Sequence, residues 1–173
     1  MTKAPTENTL WDRPRVGKPR GHKGEPAPGR DTLLDMPIPS LDAIRAARVR
    51  TSGRLHLTPL LSSRTLADRS GVAALGLKCE SLQRTGSFKA RGALNAVIQL
   101  DEEARRRGVV TFLAGNHAQA LAWSAASVGV HCTVVMPASA SESKAAASAA
   151  YGAEVVLHGT ASDAFARADQ LAK

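Results

Sequence analysis

Short apolar segments alternate with longer helix-like segments over most of this chain, and this alternation constrains its fold more than any other feature. Strands are expected at residues 72–79, 108–113, 131–136 and 154–157. Helices are expected at residues 87–100, 117–128, 142–151 and 162–173. Strands that alternate with helices of about ten residues form βαβ units with a parallel sheet. Right-handed crossovers place the helices on both faces of that sheet, so we predict an α/β fold.

The regions on either side of this pattern differ from it. Ser40 is placed to cap a helix that runs to about Arg50. Residues 1–36 are rich in proline, glycine and charge and lack apolar periodicity, which predicts a disordered extension. The final helix, with Thr160 as its expected cap, reaches Lys173 without a C-cap. We therefore expect the chain to be cut short rather than finished.

The formal net charge is +8, from 23 basic and 15 acidic residues. A basic excess can indicate a nucleic-acid partner, but here it is spread along the chain. The densest basic run, residues 105–107, follows acidic residues 101–103 at the i,i+4 spacing of surface ion pairs. We therefore expect a solvated helix face and no nucleic-acid partner.

Cysteine and apolar content indicate the compartment. Cys79 and Cys132 lie in apolar runs without disulfide or metal spacing, so buried free thiols are expected, as in a reducing cytosol. No apolar run approaches the roughly 20 residues of a membrane span, and the N-terminus lacks the apolar core of a secretory signal. These features predict a soluble cytoplasmic protein with no membrane partner. His117 and His131 lack ligands at metal spacing, so no metal site is expected.

Residues 78–93, KCESLQRTGSFKARGA, are the first segment that indicates chemistry. They predict a strand, a polar loop and a helix with Lys89 in its first turn. The partial positive charge of a helix N-terminus disfavours a protonated lysine and helps to keep a neutral, nucleophilic amine. A surface lysine at an irregular helix start is the alternative, which these residues alone leave open.

Residues 109–120, VVTFLAGNHAQA, are the second such segment. A strand, a glycine turn and a helix would present backbone N–H groups at the carboxyl edge of a parallel sheet, where ligands of open α/β sheets bind. The alternative is an ordinary βα turn in which Asn116 caps the helix.

Together these segments resemble one family. KCESLQ and GSFKARGA, then AGNHAQ, then VVMP, Lys144 and YGAEVVLHG follow the order found in fold-type II pyridoxal-phosphate enzymes, the fold type that includes the tryptophan synthase β subunit. The chain is most similar to the threonine dehydratases, serine dehydratases and serine racemases. Thr58-Pro59-Leu60 also matches that family, and the resemblance covers roughly residues 38–173.

The resemblance implies a function and a set of roles. The activity would be β-elimination of water and ammonia from threonine or serine, part of amino-acid metabolism such as isoleucine biosynthesis. Lys89 would bind the pyridoxal 5'-phosphate aldehyde and later act as the α-proton base, Phe88 would lie beside the cofactor, and Asn116 would bind its 3′-oxygen. The substrate carboxylate would be held by backbone N–H groups of the loop formed by Leu113, Ala114, Gly115, Asn116 and His117.

The sequence departs from the family pattern within that loop. A serine usually stands where this chain has Leu113. In the racemases, a serine that serves as the second proton donor stands where this chain has Ala114. Because a methyl group cannot exchange a proton, racemisation is disfavoured, whereas dehydration is weakened rather than excluded.

The resemblance also implies that part of the family's architecture is missing. The glycine-rich phosphate loop and the side chain that faces the pyridine nitrogen lie beyond the position that matches Lys173. We therefore expect a truncated half of a two-domain enzyme. Residues 37–107 would begin the large cofactor domain, and residues 108–173 would form a small βαβαβα domain. The isolated chain is expected to be inactive, and a full-length form to be a homo-oligomer. The alternative is a non-catalytic pseudo-enzyme subunit that docks on a complete partner.

Overall fold

The computed structural model describes residues 38–173, so the predicted disordered extension over residues 1–36 lies outside the described part. The helices are α1 Leu41–Arg50, α2 Arg64–Ser70, α3 Lys89–Ile98, α4 Glu102–Arg107, α5 Asn116–Ala126, α6 Glu142–Ala150 and α7 Ala161–Leu171. The strands are β1 Leu60–Ser62, β2 Gly76–Lys78, β3 Val109–Thr111, β4 Cys132–Met136 and β5 Glu154–Leu157.

A parallel sheet with helices on both faces is present, as predicted. Its strand order is β3-β4-β5, and both pairs of neighbours are parallel. On one face, α5 and α6 pack against the buried Val134 and Met136 of β4. On the other face, α7 places Ala164 and Ala168 against Val135. Because side chains alternate along a strand, the five buried residues of β4 serve both layers.

The strand expected at residues 72–79 does not join this sheet, which corrects the prediction from sequence. Only Gly76–Lys78 is a strand, and it pairs antiparallel with β1. The two strands form a separate sheet, with Leu60 opposite Lys78. The seven-residue helix α2 lies between them and ends at Gly71, whose φ of 67° is left-handed. This short connection returns the chain beside β1, so the pairing is antiparallel.

Helix starts follow the predicted caps at both ends of the described chain. The Ser40 hydroxyl accepts a hydrogen bond from the Ala43 N–H at 3.1 Å and begins α1. Thr160 begins α7, and its side chain and that of Asp163 cap each other's backbone N–H. Each such cap satisfies N–H groups that have no partner within the helix.

Helices α3 and α5 pack through small side chains and position the site. Ala90 and Ala93 of α3 and Ala120 of α5 form one buried cluster. At the other end of the two helices, the Arg105 guanidinium donates to the carbonyls of Ile98, Leu100 and Val128, at 3.4, 3.2 and 3.5 Å. The expected surface pairs are made by its neighbours, since Arg106 pairs with Glu102 and Arg107 with Glu103. Arg105 is therefore a structural residue rather than a surface charge.

The two cysteines differ in burial. Both thiols are free, and Cys132 is buried at the start of β4, as predicted. Cys79 is only partly buried, which corrects the expectation for that residue. Burial raises the pKa of the Cys132 thiol to about 11. Over residues 38–173, no helix is long and apolar enough to cross a membrane.

Candidate active site

Lys89 lies in the first turn of α3, as predicted; the helix begins at Lys89 rather than at residue 87, and the lysine side chain is exposed. Its Nζ lies 5.2 Å from the centre of the Phe88 ring. The preceding turn, Arg84–Gly86, contains Thr85 with a φ of 58°, the one left-handed non-glycine residue in the described chain. Because such a conformation costs about 1 kcal/mol, it marks a turn that its surroundings hold in place.

An ion pair and its hydrogen bonds join three of the segments identified in the sequence, namely Thr58-Pro59-Leu60, KCESLQ and GSFKARGA. The Arg91 guanidinium donates to both carboxylate oxygens of Glu80, at 2.7 and 2.6 Å. Thr58 donates to the same carboxylate at 2.6 Å, and the Lys78 ammonium donates to the Thr58 carbonyl at 2.5 Å. The hydrogen bond from Arg91 outweighs the opposing effect of burial and, with that from Thr58, holds the pKa of Glu80 at about 2. Since Arg91 lies two residues after Lys89, this network fixes the start of α3.

The buried Gln83 side chain clamps the same turn to the segment before β1. Its carbonyl oxygen accepts from the His56 and Arg84 backbone N–H groups, at 2.9 and 3.0 Å. Its amide donates to the His56 carbonyl at 2.9 Å. The His56 ring also contacts the Leu82 carbonyl at 3.0 Å. A buried amide whose hydrogen bonds are satisfied fixes the local backbone. The turn Arg84–Gly86, which precedes Lys89, is therefore held against the segment before β1.

The second predicted loop follows β3 and leads into α5. Phe112 packs on the α7 side of the sheet and Ala114 packs on the α5 side. Leu113, between them, belongs to neither cluster and is 48% exposed. Gly115 has a φ of 144° and precedes α5 without a side-chain cap. Asn116 is the first helical residue, so the alternative in which it caps the helix is wrong, and its side chain is exposed.

The two loops lie together. The turn Arg84–Gly86 contacts α5, and α3 packs along α5. His117, in the first turn of α5, is half-buried, and the burial of its ring, followed by the charge of Lys89, lowers its pKa below the ordinary 6.5. Its imidazole is therefore neutral at neutral pH beside the lysine. The start of α3, with Lys89, and the start of α5, with His117, therefore lie near each other.

The donors present fit a carbonyl cofactor at its reactive end. A primary amine, an aromatic ring and an amide side chain stand at the starts of two packed helices. The hydroxyls of Thr85 and Ser87 are buried without hydrogen-bond partners, and Ser87 is only 6% exposed. Because unpartnered buried hydroxyls cost free energy, these two groups are available to a ligand. Lys89, Phe88 and Asn116 remain the residues that the sequence predicts to hold pyridoxal phosphate.

Sequence reasoning missed the supporting residues. The roles of Glu80, Gln83 and Arg91 depend on contacts between segments that are distant in sequence. One signal was present: Glu80 and Arg91 are opposite charges that flank a glycine turn, and buried charges occur in pairs. Neither residue could be assigned from spacing alone, because the partner Thr58 reaches them only through the β1–β2 pairing.

Comparison with known proteins identifies the family of the chain. Residues 52–173 match the family described as "Pyridoxal-phosphate dependent enzyme". The chain therefore belongs to the pyridoxal-phosphate-dependent enzymes, and its solved structural neighbours are of fold type II.

Individual relatives differ in their activities. The L-threo-3-hydroxyaspartate ammonia-lyase of a Pseudomonas species is 49% identical over 68% of this chain and 36% of that protein. The catabolic L-threonine dehydratase of Escherichia coli K12 is 45% identical over 72% of this chain and 37% of that protein. The crystal structure of serine racemase from Dictyostelium discoideum is 42% identical, with a TM-score of 0.69 over 74% of this chain and 42% of that one. The chain thus spans somewhat over a third of the length of its curated relatives.

Proposed function

We propose that the chain carries the lysine-bearing part of the active site of a threonine or serine ammonia-lyase. The observation that supports this most directly is the position of Lys89. This exposed residue begins α3, close to the start of α5. Relatives with lyase names match over this region. The reaction would convert the hydroxy amino acid into a 2-oxo acid and ammonia.

Each site residue has a task in this reaction. When bound, pyridoxal phosphate supplies a carbonyl for the substrate amine and a ring that accepts the electron pair left by the departing Cα proton. Lys89 holds the cofactor before the substrate arrives, and its freed amine then takes the Cα proton. Asn116 orients the cofactor ring through its amide. Backbone N–H groups at the start of α5 hold the substrate carboxylate.

The stoichiometry of the reaction follows from these roles. The β-hydroxyl departs with one proton as water, and the released enamine takes up water and loses ammonia. For threonine the carbon product is a 2-oxobutanoate, and for serine it is pyruvate. Racemisation needs a second proton donor on the opposite face of Cα, and the methyl group of Ala114 cannot supply one. This difference supports a lyase rather than a racemase.

Labelling of Lys89 tests the proposal without requiring turnover. The chain is incubated with pyridoxal phosphate, reduced with borohydride and digested, and the modified peptide is identified by mass spectrometry. We expect the label on Lys89, its loss in Lys89→Ala and its retention in Lys144→Ala, which removes another exposed lysine. Label spread evenly over surface lysines would reject Lys89 as the cofactor lysine.

A second candidate is a non-catalytic subunit that docks on a complete relative. The observation that favours it is the small β1–β2 sheet, where Leu60, Leu61 and Leu77 are exposed. Leu61 and Leu77 are opposite each other in this sheet and share one face, and an exposed apolar pair of this kind is compatible with an interface. Copurification with a full-length relative, together with an unlabelled Lys89, is the result expected of such a subunit.

A further inference from the structure

A cavity of about 280 Å³ is formed by the end of α1, the segment before β1 and one residue of α3. Its lining includes three side chains that can carry a positive charge, Arg48, His56 and Arg91, and two leucines, Leu55 and Leu57. None of the described residues that line it is acidic. A concave site that combines cationic groups with apolar side chains is suited to a small organic anion.

Arg48 differs from the other arginines of α1 in having a guanidinium without a partner. Arg45 pairs with Asp42 at 3.2 Å, and Arg50 donates to the Asn95 side chain at 3.0 Å. The Arg48 guanidinium makes no hydrogen bond or ion pair with any residue from 38 to 173. An unpaired guanidinium beside a cavity is available to a ligand of opposite charge.

Arg91 contributes the remaining nitrogen of its guanidinium to the same cavity. Its Nε and Nη2 donate to the two carboxylate oxygens of Glu80, at 2.7 and 2.6 Å. Its Nη1 donates to no atom of the part of the chain that the structure describes, and the side chain is 40% exposed. Because Arg91 offsets the charge of Glu80, Arg48 leaves the cavity with a net positive charge.

The negative end of the α1 dipole also borders the cavity, but its carbonyls are already hydrogen-bonded. The Ala47 carbonyl accepts from the N–H and the hydroxyl of Thr51, at 3.1 and 2.9 Å. The Val49 carbonyl accepts from the Ser52 N–H at 3.1 Å. A helix end carries only about half an elementary charge, so it does not cancel the full charge of Arg48.

We propose that this cavity is a binding site for a small organic phosphate, separate from the site around Lys89. A phosphate monoester has three terminal oxygens and roughly two negative charges, so it accepts hydrogen bonds from both guanidinium groups at once. A carboxylate has two oxygens, which a single arginine fork occupies. Leu55 and Leu57 provide apolar surface for the organic part. The site is independent of the proposed function, because no residue of the cavity takes part in that reaction.

Isothermal titration of phenyl phosphate into the full 173-residue chain measures binding at this site. We expect phenyl phosphate to bind more tightly than benzoate, which carries a carboxylate on the same ring, and added salt to weaken both. Arg48→Gln should weaken the binding of phenyl phosphate about tenfold, the effect of losing one hydrogen bond to a charged group. Circular dichroism confirms that this variant is folded.

Arg45→Gln is the matched control. It removes the same charge from the same helix, at a residue that does not line the cavity. Its effect on the affinity for phenyl phosphate should stay within about twofold, because exposed charges at a distance are screened.

Chemical modification locates the site without any substitution. Phenylglyoxal modifies arginine side chains, and mass spectrometry of the digested chain measures the modified fraction of each arginine. We expect phenyl phosphate to slow the modification of Arg48 and to leave that of Arg45 unchanged.

Several results would overturn the proposal. These are an absence of binding, tighter binding of benzoate, equal losses for Arg48→Gln and Arg45→Gln, and modification of Arg48 that phenyl phosphate does not slow. Lys89→Ala should bind phenyl phosphate as the natural chain does, and a loss of binding in that variant would place the phosphate at the lysine instead. Labelling of Lys89 by pyridoxal phosphate is a separate measurement, so a failure of the proposed function leaves this site unaffected.

Discussion

At the scale of single residues, the site depends on a carboxylate that the chemistry never touches. Glu80 receives hydrogen bonds from Arg91 and Thr58, and so joins the start of α3 to the segment before β1. A partly buried carboxylate is stabilised when it is paired and hydrogen-bonded, and removing one partner leaves the other charge without its counter-ion. Glu80 and Arg91 therefore have to be considered as one unit.

This unit predicts a specific pH dependence of stability. The pKa of Glu80 in the fold is about 2, below its ordinary 4.5, so the unfolded chain takes up the proton first as pH falls. The stability that Glu80 contributes is complete above pH 4.5 and is lost as pH falls towards 2. Glu80→Gln should lower the free energy of unfolding by roughly 1–2 kcal/mol at pH 7, since Arg91 is partly exposed to solvent.

Urea unfolding followed by circular dichroism from pH 2 to 7 measures this effect. The difference between the natural chain and Glu80→Gln should shrink as pH falls below 4.5, the ordinary pKa of the carboxyl. Glu102→Gln, which changes a highly exposed carboxylate, serves as the control and should have little effect at any pH. If the difference for Glu80→Gln does not change with pH, the pairing with Arg91 does not lower the pKa of Glu80 in the folded chain.

At the scale of secondary structure, elements with strong local signals were predicted well. The strand at residues 154–157 and helix starts with a Ser or Thr cap agree with the structure. These features depend on neighbours within four residues. The β1–β2 pairing depends on contacts between distant residues, and sequence patterns did not reveal it. The position of Lys89 in the first turn of α3 and the loop between β3 and α5 could be predicted, whereas the hydrogen bonds of Glu80, Gln83 and Arg91 could not, because their partners meet only after folding.

The contact between the ends of α3 and α5 predicts unequal roles for adjacent arginines. Arg105→Met keeps most of the aliphatic stem but removes three hydrogen bonds, to the carbonyl of Ile98 at the end of α3 and to those of Leu100 and Val128, which follow α3 and α5. We expect it to lower the free energy of unfolding by roughly 1–2 kcal/mol, given that these bonds are long and partly exposed. Arg106→Met removes an exposed pair with Glu102 and should cost at most about 0.5 kcal/mol. Equal losses in chemical denaturation would contradict this difference.

At the scale of the whole molecule, the three-stranded sheet with helices on both faces is the feature that the sequence predicted most completely. The alternation of strands and helices along the chain determines the layers of the fold. Ala and Val side chains make up most of the core between these layers. The division at residue 107 into parts of a large and a small domain stays a prediction. The small sheet β1–β2 was not predicted, since strands of three residues carry little signal of their own.

Thiol labelling tests whether the core of the three-stranded sheet is closed in the folded chain. Cys132 is buried at the start of the central strand, with its pKa raised to about 11, whereas Cys79 is only partly buried. At pH 8 an aromatic disulfide reagent should modify one thiol per folded chain, and the second only after urea is added. Cys79→Ser should abolish the native reaction. Rapid modification of both thiols without denaturant would mean that the sheet core is open.

The anchoring of α3 and α5 at Arg105 has a consequence for the distant site. Both helices start at the loops that carry Lys89 and Asn116, and both finish near one guanidinium group. A helix of ten residues is about 15 Å long, so a tilt of about 4° about its far end moves its first residue by about 1 Å. A displacement of that size can slow an enzymatic reaction about a hundredfold. Substitutions near Arg105 should therefore change the distance between the Lys89 amine and the Asn116 amide, although Arg105 contacts neither.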